Sequence, residues 1–199
     1  MAVAAANKAK LMLPPGATGI YSNSITAPLA RGGGLGIIFP IQPDITYSQS
    51  VNYTPYDLTH TNYGFNAYRN TPSPNIQIAA QFASTTEEEC AYTLGVIHFL
   101  RMVTKMFFGI GDPFKGAPPP ILRFSAFGSQ QFNNVRVVVA NFATTYDSGV
   151  DLKDYGGQQV PVIQTIAVDL MIQNSPDRQK NTTTKNSFIS GGAYSQGFI

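Results

Sequence analysis

The chain has 199 residues, enough for one compact core, and only 12% of them are charged, about half the usual share for a soluble domain, with a formal net charge of +2. These values exclude a strongly basic nucleic-acid binder and suit a surface that partners cover. One cysteine excludes an internal disulfide framework, and no apolar run approaches the roughly 18 residues that span a bilayer, so neither a signal peptide nor a membrane segment is expected.

Residues 1–36 mix alanine, glycine, proline and small polar residues without a core period. Lys8, Lys10 and Arg31 all precede the first acidic residue, Asp44. The segment therefore reads as an extended, weakly cationic arm ordered by a partner, with Lys8, Lys10 and Arg31 as candidate docking residues. The glycine-rich run at 31–36 is not a phosphate loop, because no Gly-Lys pair follows it. Strand chemistry starts at Ile37, and Ile45, Tyr47, Val51 and Tyr53 alternate as a half-buried strand would. Tyr53, Tyr56, Tyr63, Phe65 and Tyr68 then crowd a stretch of asparagine and threonine. Such aromatics serve as amphipathic packing at sheet edges and interfaces, and flat rings stacking on a carbohydrate are the rival reading.

Ile76, Ile78, Ala80 and Phe82 alternate cleanly and lead into the one long segment with helical character, predicted at about residues 85–108. Ser84, Thr85 and Thr86 are each followed three positions later by a glutamate, so a capping box fits three registers. Arg101 and Lys105 suit the negative end of the helix dipole, and Gly109 suits a left-handed cap. Tyr92, Val96, Phe99, Val103 and Phe107 form one apolar stripe. The other side is less polar than a surface helix requires, because Cys90, Leu94, Ile97 and Phe108 flank His98, Arg101 and Lys105. Either the helix is sunk in its own domain or a neighbouring subunit covers it. Leu94, Ile97 and Phe108, with Tyr56 and Tyr63, are accordingly the candidate subunit-interface residues.

A long loop through Pro118–Pro120 precedes three further strand candidates: Leu122, Phe124 and Ala126 in alternation, the β-branched run from Val135 to Phe142, and the run from Val160 to Ile172. The last two are joined through a turn-rich insertion that suits the tip of a long hairpin. Residues 173–199 read as a polar, flexible, weakly basic tail. Strands, one helix and strands again, without βα alternation, give a mainly β domain over residues 37–172 with one long helix, a sandwich or partly closed barrel of the α+β class.

No catalytic set emerges. His60 and His98 lack ligand spacing, and Cys90 and His98 lie about two helical turns apart. Glu87, Glu88 and Glu89 are explained by capping, while Asp147, Asp151 and Asp154 lack the order of a calcium loop. No cofactor, metal site or enzymatic activity is expected. A cell-wall hydrolase would need a convergent carboxylate pair or a metal set.

Several segments in order carry a resemblance. They are ValAsnTyrThrProTyrAspLeuThrHisThrAsnTyr at 51–63, ThrProSerPro at 71–74 and the ThrGluGluGlu-led helix with HisPheLeuArg and ThrLysMet. ProProProIleLeuArgPheSerAlaPheGly at 118–128, AspSerGlyValAsp at 147–151 and ValProVal at 160–162 continue the series. Together these segments, spread over about residues 37–172, resemble the tail-tube-like baseplate proteins of contractile-tailed bacteriophages, and most of all their tube initiators. The resemblance implies sheets that join those of neighbouring copies in a sixfold ring, with the helix packed outside the lumen-lining sheet. It implies a homo-hexameric virion protein, assembled in the host cytoplasm, that sits between the baseplate hub and the tail tube. Its implied partners are the hub protein, the tube protein or a second initiator ring, and wedge proteins, while DNA passes through the lumen without sequence-specific binding. The alternative of another class is a sugar- or receptor-binding β-module at the tail tip, using Tyr53, Tyr56, Tyr63 and Tyr68.

Overall fold

The structure is a computed structural model that describes residues 7–31, 34–182 and 184–199. In chain order the strands are β1 (Lys10–Met12), β2 (Ala30–Arg31), β3 (Gly34–Ile38), β4 (Asp44–Ser48), β5 (Asn52–Tyr56), β6 (Phe65–Asn70) and β7 (Asn75–Ala83). They continue as β8 (Leu122–Ala126), β9 (Phe132–Thr145), β10 (Leu152–Tyr155), β11 (Gln158–Pro161) and β12 (Ile163–Ile172). The helices are α1 (Thr18–Tyr21), α2 (Glu87–Val103), α3 (Pro176–Thr182), α4 (Lys185–Ile189) and α5 (Gly192–Ser195). The protein is thus mainly β, and its central feature is an eight-stranded sheet in the order β2-β3-β1-β8-β9-β12-β7-β4. Each pairing in that sheet is antiparallel. The pairs β5–β6 and β10–β11 form separate two-stranded ribbons.

The alternation read in the sequence sets which face is buried. On β7 the side chains of Ile76, Ile78, Ala80 and Phe82 are buried, and those between them are exposed. Their partners on β12 include Leu170, Val168 and Ile166, also buried, so cross-strand pairs build one inner face. A register shift on β9 keeps a β-branched run useful to this face. Val139 lies opposite Leu170 and Phe142 opposite Val168, with Ala140 the extra residue between them. Two apolar side chains three positions apart thereby both reach the core.

The sheet curls. β3 stands second and β7 seventh in the strand order, yet Phe39, just after β3, meets Phe82 of β7 at 6.1 Å between ring centroids. Tyr47 on the edge strand β4 likewise lies 6.2 Å from Phe132 at the start of β9. The concave side holds α2, whose Tyr92 hydroxyl accepts from the Ile38 amide and donates to the Ile38 carbonyl, both at 2.8 Å.

Of the three capping registers, α2 uses Thr86. Its side chain accepts from the Glu89 amide at 3.3 Å, and Glu89 Oε2 in return accepts from the Thr86 and Thr85 amides and the Thr85 hydroxyl. The helix ends at Val103, short of the expected 108 and without Gly109 as its cap. Thr104 caps it instead, its hydroxyl donating back to the carbonyls of Leu100 and Arg101. Beyond it the Phe107 backbone pairs with the loop, donating to Ala117 and accepting from Gly116, so those groups cannot extend the helix.

Two further expectations are corrected. Residues 7–31 are not a detached arm: β1 lies between β3 and β8, and Ala9, Leu11 and Leu13 point into the core while Lys10 and Met12 point away. A spacing of two over five residues was the signal, too short to stand out from its surroundings. The described residues of the tail expected at 173–199 are not open either. They carry α3, α4 and α5, and Phe198 and Ala193 are buried. The strand expected to run from Ile45 to Tyr53 also divides, because β4 stops at Ser48 and β5 starts at Asn52 in a separate ribbon.

Leu11 is 0% exposed, so Leu11→Ala is expected to lower stability by about 2–5 kcal/mol in urea unfolding, whereas an external arm would show almost no loss. Hydrogen bonds from Thr85 and Thr86 hold the Glu89 carboxyl below the ordinary glutamate range. A carboxyl whose folded-state pKa is depressed stabilises at neutral pH and loses that contribution as pH falls through its folded value. The melting-temperature advantage of the wild type over Glu89→Gln should therefore be largest near pH 7 and fade in acid.

Candidate assembly surfaces

The second side of α2 is covered largely from within. A 3₁₀ turn at Ala27–Leu29 lies across the helix at Gly95, where a Cβ would stand 2.4 Å from Leu29 Cδ1 and 2.9 Å from the Ile25 carbonyl oxygen. Only a residue without a side chain permits that approach. Ile97 is consequently 6% exposed and belongs to the chain's own core, which corrects its place among residues facing a neighbour. Leu94 is half-buried in a shallow groove shared with Ile25, Pro28, His98 and Tyr155. Phe108 behaves differently, because it lies past the helix end in the loop and is 83% exposed. Ile110, Met106 and Phe114 of the same loop are exposed with it, a cluster that the helical reading of residues 104–108 concealed.

Tyr56 and Tyr63 belong to the β5–β6 ribbon and its connection. Every residue from 46 to 71 is exposed, and this stretch carries Tyr53, Tyr56, Tyr63, Phe65 and Tyr68, with Tyr63 at 83%. Tyr53 and Tyr68 face each other across the ribbon edge-on, 6.1 Å apart at 79°. A two-stranded hairpin with both faces in water is marginal by itself.

The three basic candidates of the N-terminal segment separate. Lys8 donates through Nζ to the Pro40 carbonyl at 3.2 Å, within its own chain. Lys10 is half-buried on the outer face of the sheet. Arg31 contributes backbone to β2, and its side chain lies outside the described residues.

That outer face is made of short or uncharged side chains over β7, β12 and the distal part of β9. Gln77, Ala79 and Gln81 lie opposite Asp169, Ala167 and Thr165, which in turn face Asn141, Ala143 and Thr145. Asp169 accepts from Asn141 Nδ2 at 3.2 Å. Among the described residues, β2 and β4 are the edge strands of the sheet.

Chemical groups are dispersed. Among the described residues no three of His, Cys, Asp and Glu gather as a metal would need, and no helix is long and apolar enough to cross a membrane. Cys90 is buried, its Sγ directed at the Ser84 carbonyl, and burial pushes its thiol up. His98 Nε2 lies 3.3 Å from Asn23 Nδ2, and His60 stands on the exposed ribbon connection. Compared with known proteins, the chain matches no family model and no curated protein.

Because the rings of Tyr56 and Tyr63 face solvent, replacing both with serine should leave the unfolding free energy of the isolated chain within about 1 kcal/mol. Chemical denaturation of the double variant checks this, and a larger loss would make the ribbon part of the fold's own support.

Proposed function

We propose that this chain is a structural ring subunit of a phage tail baseplate, a tube initiator that sits between the central hub and the tail tube. The observation that carries the reading is the exposed β5–β6 ribbon with its five aromatic side chains, beside a sheet whose edge strands, among the described residues, are β2 and β4. Apolar rings and unpaired strand edges gain most when a neighbour covers them. A heterologous contact repeated around an axis closes a ring, and the sixfold ring of the family it resembles gives the number of copies. In that ring the ribbon and the Phe108 loop would meet adjacent subunits, hub or tube. The part of the outer sheet face over β7 and β12, with few charged side chains, suits a channel wall along which DNA slides without being held.

The sugar- or receptor-binding reading fares less well on geometry. A flat platform that stacks on several sugar units at once needs rings close to one plane, and Tyr53 and Tyr68 stand nearly perpendicular.

Cryo-electron microscopy of the particle tests the proposal. The expected map shows six copies in a closed ring at the hub–tube junction, with Tyr63 and Phe108 covered. A monomeric or trimeric arrangement, or those two side chains left in solvent, would overturn it. Particles carrying Tyr56→Ser with Tyr63→Ser should assemble tubes at less than about a tenth of the wild-type yield, the loss expected if buried interface aromatics act as hot spots.

A further inference from the structure

Three arginines from distant parts of the sequence converge where the C-terminal segment folds back on the sheet. Arg123 of β8 and Arg136 of β9 are directly paired across the ladder, on the outer face. Arg178 is brought to them by the turn after β12, where the Gln173 amide donates to the Arg136 carbonyl at 3.0 Å. The end of the chain fixes it there. Gly197, at φ +76, packs so closely on β9 that a Cβ would lie 2.6 Å from the Asn134 carbonyl oxygen. Phe198 is buried, and the Arg178 guanidinium lies 4.6 Å from its ring centre while donating to the Gln196 carbonyl. On the neighbouring strand Lys10 sits opposite Ser125, two residues along β8 from Arg123 and on the same face.

Like charges set directly across a ladder repel, and shielding them from water raises the cost unless an anion compensates. All three arginines are only partly exposed. Arg136 Nε and Arg178 Nη1 are shielded from solvent and donate to no protein acceptor. Among the described residues no carboxylate lies within ion-pair distance of any of the three. Burial and the mutual proximity of the group depress the affinity of Arg123 and Arg178 for their protons.

We propose that Arg123, Arg136 and Arg178 form a binding site for a phosphate group, with Lys10 at its margin. Planar guanidinium forks match tetrahedral oxyanions, and donors arriving from two strands and one helix surround a compact dianion from several directions. The site does not rest on the ring reading, because it is complete within one chain.

The test uses the full chain in thermal melts with sodium phosphate, sodium chloride at matched ionic strength, or a short duplex DNA. Phosphate should raise the melting temperature in proportion to the logarithm of its concentration once that exceeds the dissociation constant, by about 5–11 °C at roughly a hundred times that constant. Arg136→Gln and Arg178→Gln should each weaken phosphate binding by at least about tenfold in calorimetric titration. If Arg136→Gln fails to fold, Arg178→Gln, on the peripheral segment, carries the comparison, with circular dichroism confirming its fold. An equal rise in chloride, an unchanged phosphate affinity in folded Arg178→Gln, or binding of duplex DNA without binding of phosphate would each overturn the proposal.

Discussion

Strand β1 joins two parts of the sheet that share no other strand-to-strand link: β2–β3 on one side and the run from β8 to β4 on the other. Three residues satisfy backbone hydrogen bonds in both directions, and the side chains at and beside them fill the centre of the core. A buried strand that lost this partner would leave two ladders unpaired at once, a cost that no surface contact recovers. The curl of the sheet, the seat of α2 and the position of the 3₁₀ turn over Gly95 depend on β1 being present. The N-terminal segment is therefore structural before it is anything else.

Once the core is closed from within, what remains on the surface is unevenly distributed. Large apolar side chains collect on the β5–β6 ribbon and on the loop after α2, both outside the eight-stranded sheet. The outer face of that sheet carries small or polar side chains over the middle of β7 and β12, with Ile163 and Met171 exposed at the two ends of β12, and positive charge at its β8–β9 end. The exposed apolar side chains thus lie mostly outside the part of the molecule that carries folding stability. The exposed aromatic groups can meet partners without loosening the core, because few of them contribute to it.

The arginine cluster follows a different logic. Its members are 13 and 42 residues apart in sequence, as the positions Arg123, Arg136 and Arg178 show. Register places the first two opposite each other, and the return of the chain after β12 adds the third. Low overall charge makes the concentration of three guanidinium groups more costly to explain as chance solvation, since oppositely charged neighbours are scarce.

Much of the framework was legible in the sequence because it rests on local periodicity. Alternation at Ile76–Phe82 specified a strand and its inner face, whereas the run expected as one strand from Val160 to Ile172 divides at Val162, leaving Val160 on β11 in a separate ribbon and Ile163–Ile172 as β12. The Ser84–Glu89 segment placed the start of α2 within three registers, since capping is a matter of groups three residues apart. Tertiary structure alone decided the rest. Whether Leu11 belongs to an arm or a central strand depends on two ladders formed with residues more than 20 positions away. Whether Ile97 faces a neighbour or the core depends on Leu29 crossing at Gly95, and the end of α2 depends on Phe107 finding backbone partners in its loop. A periodic pattern states which side chains share a face, whereas the identity of what covers that face is fixed by contacts that have no local signature.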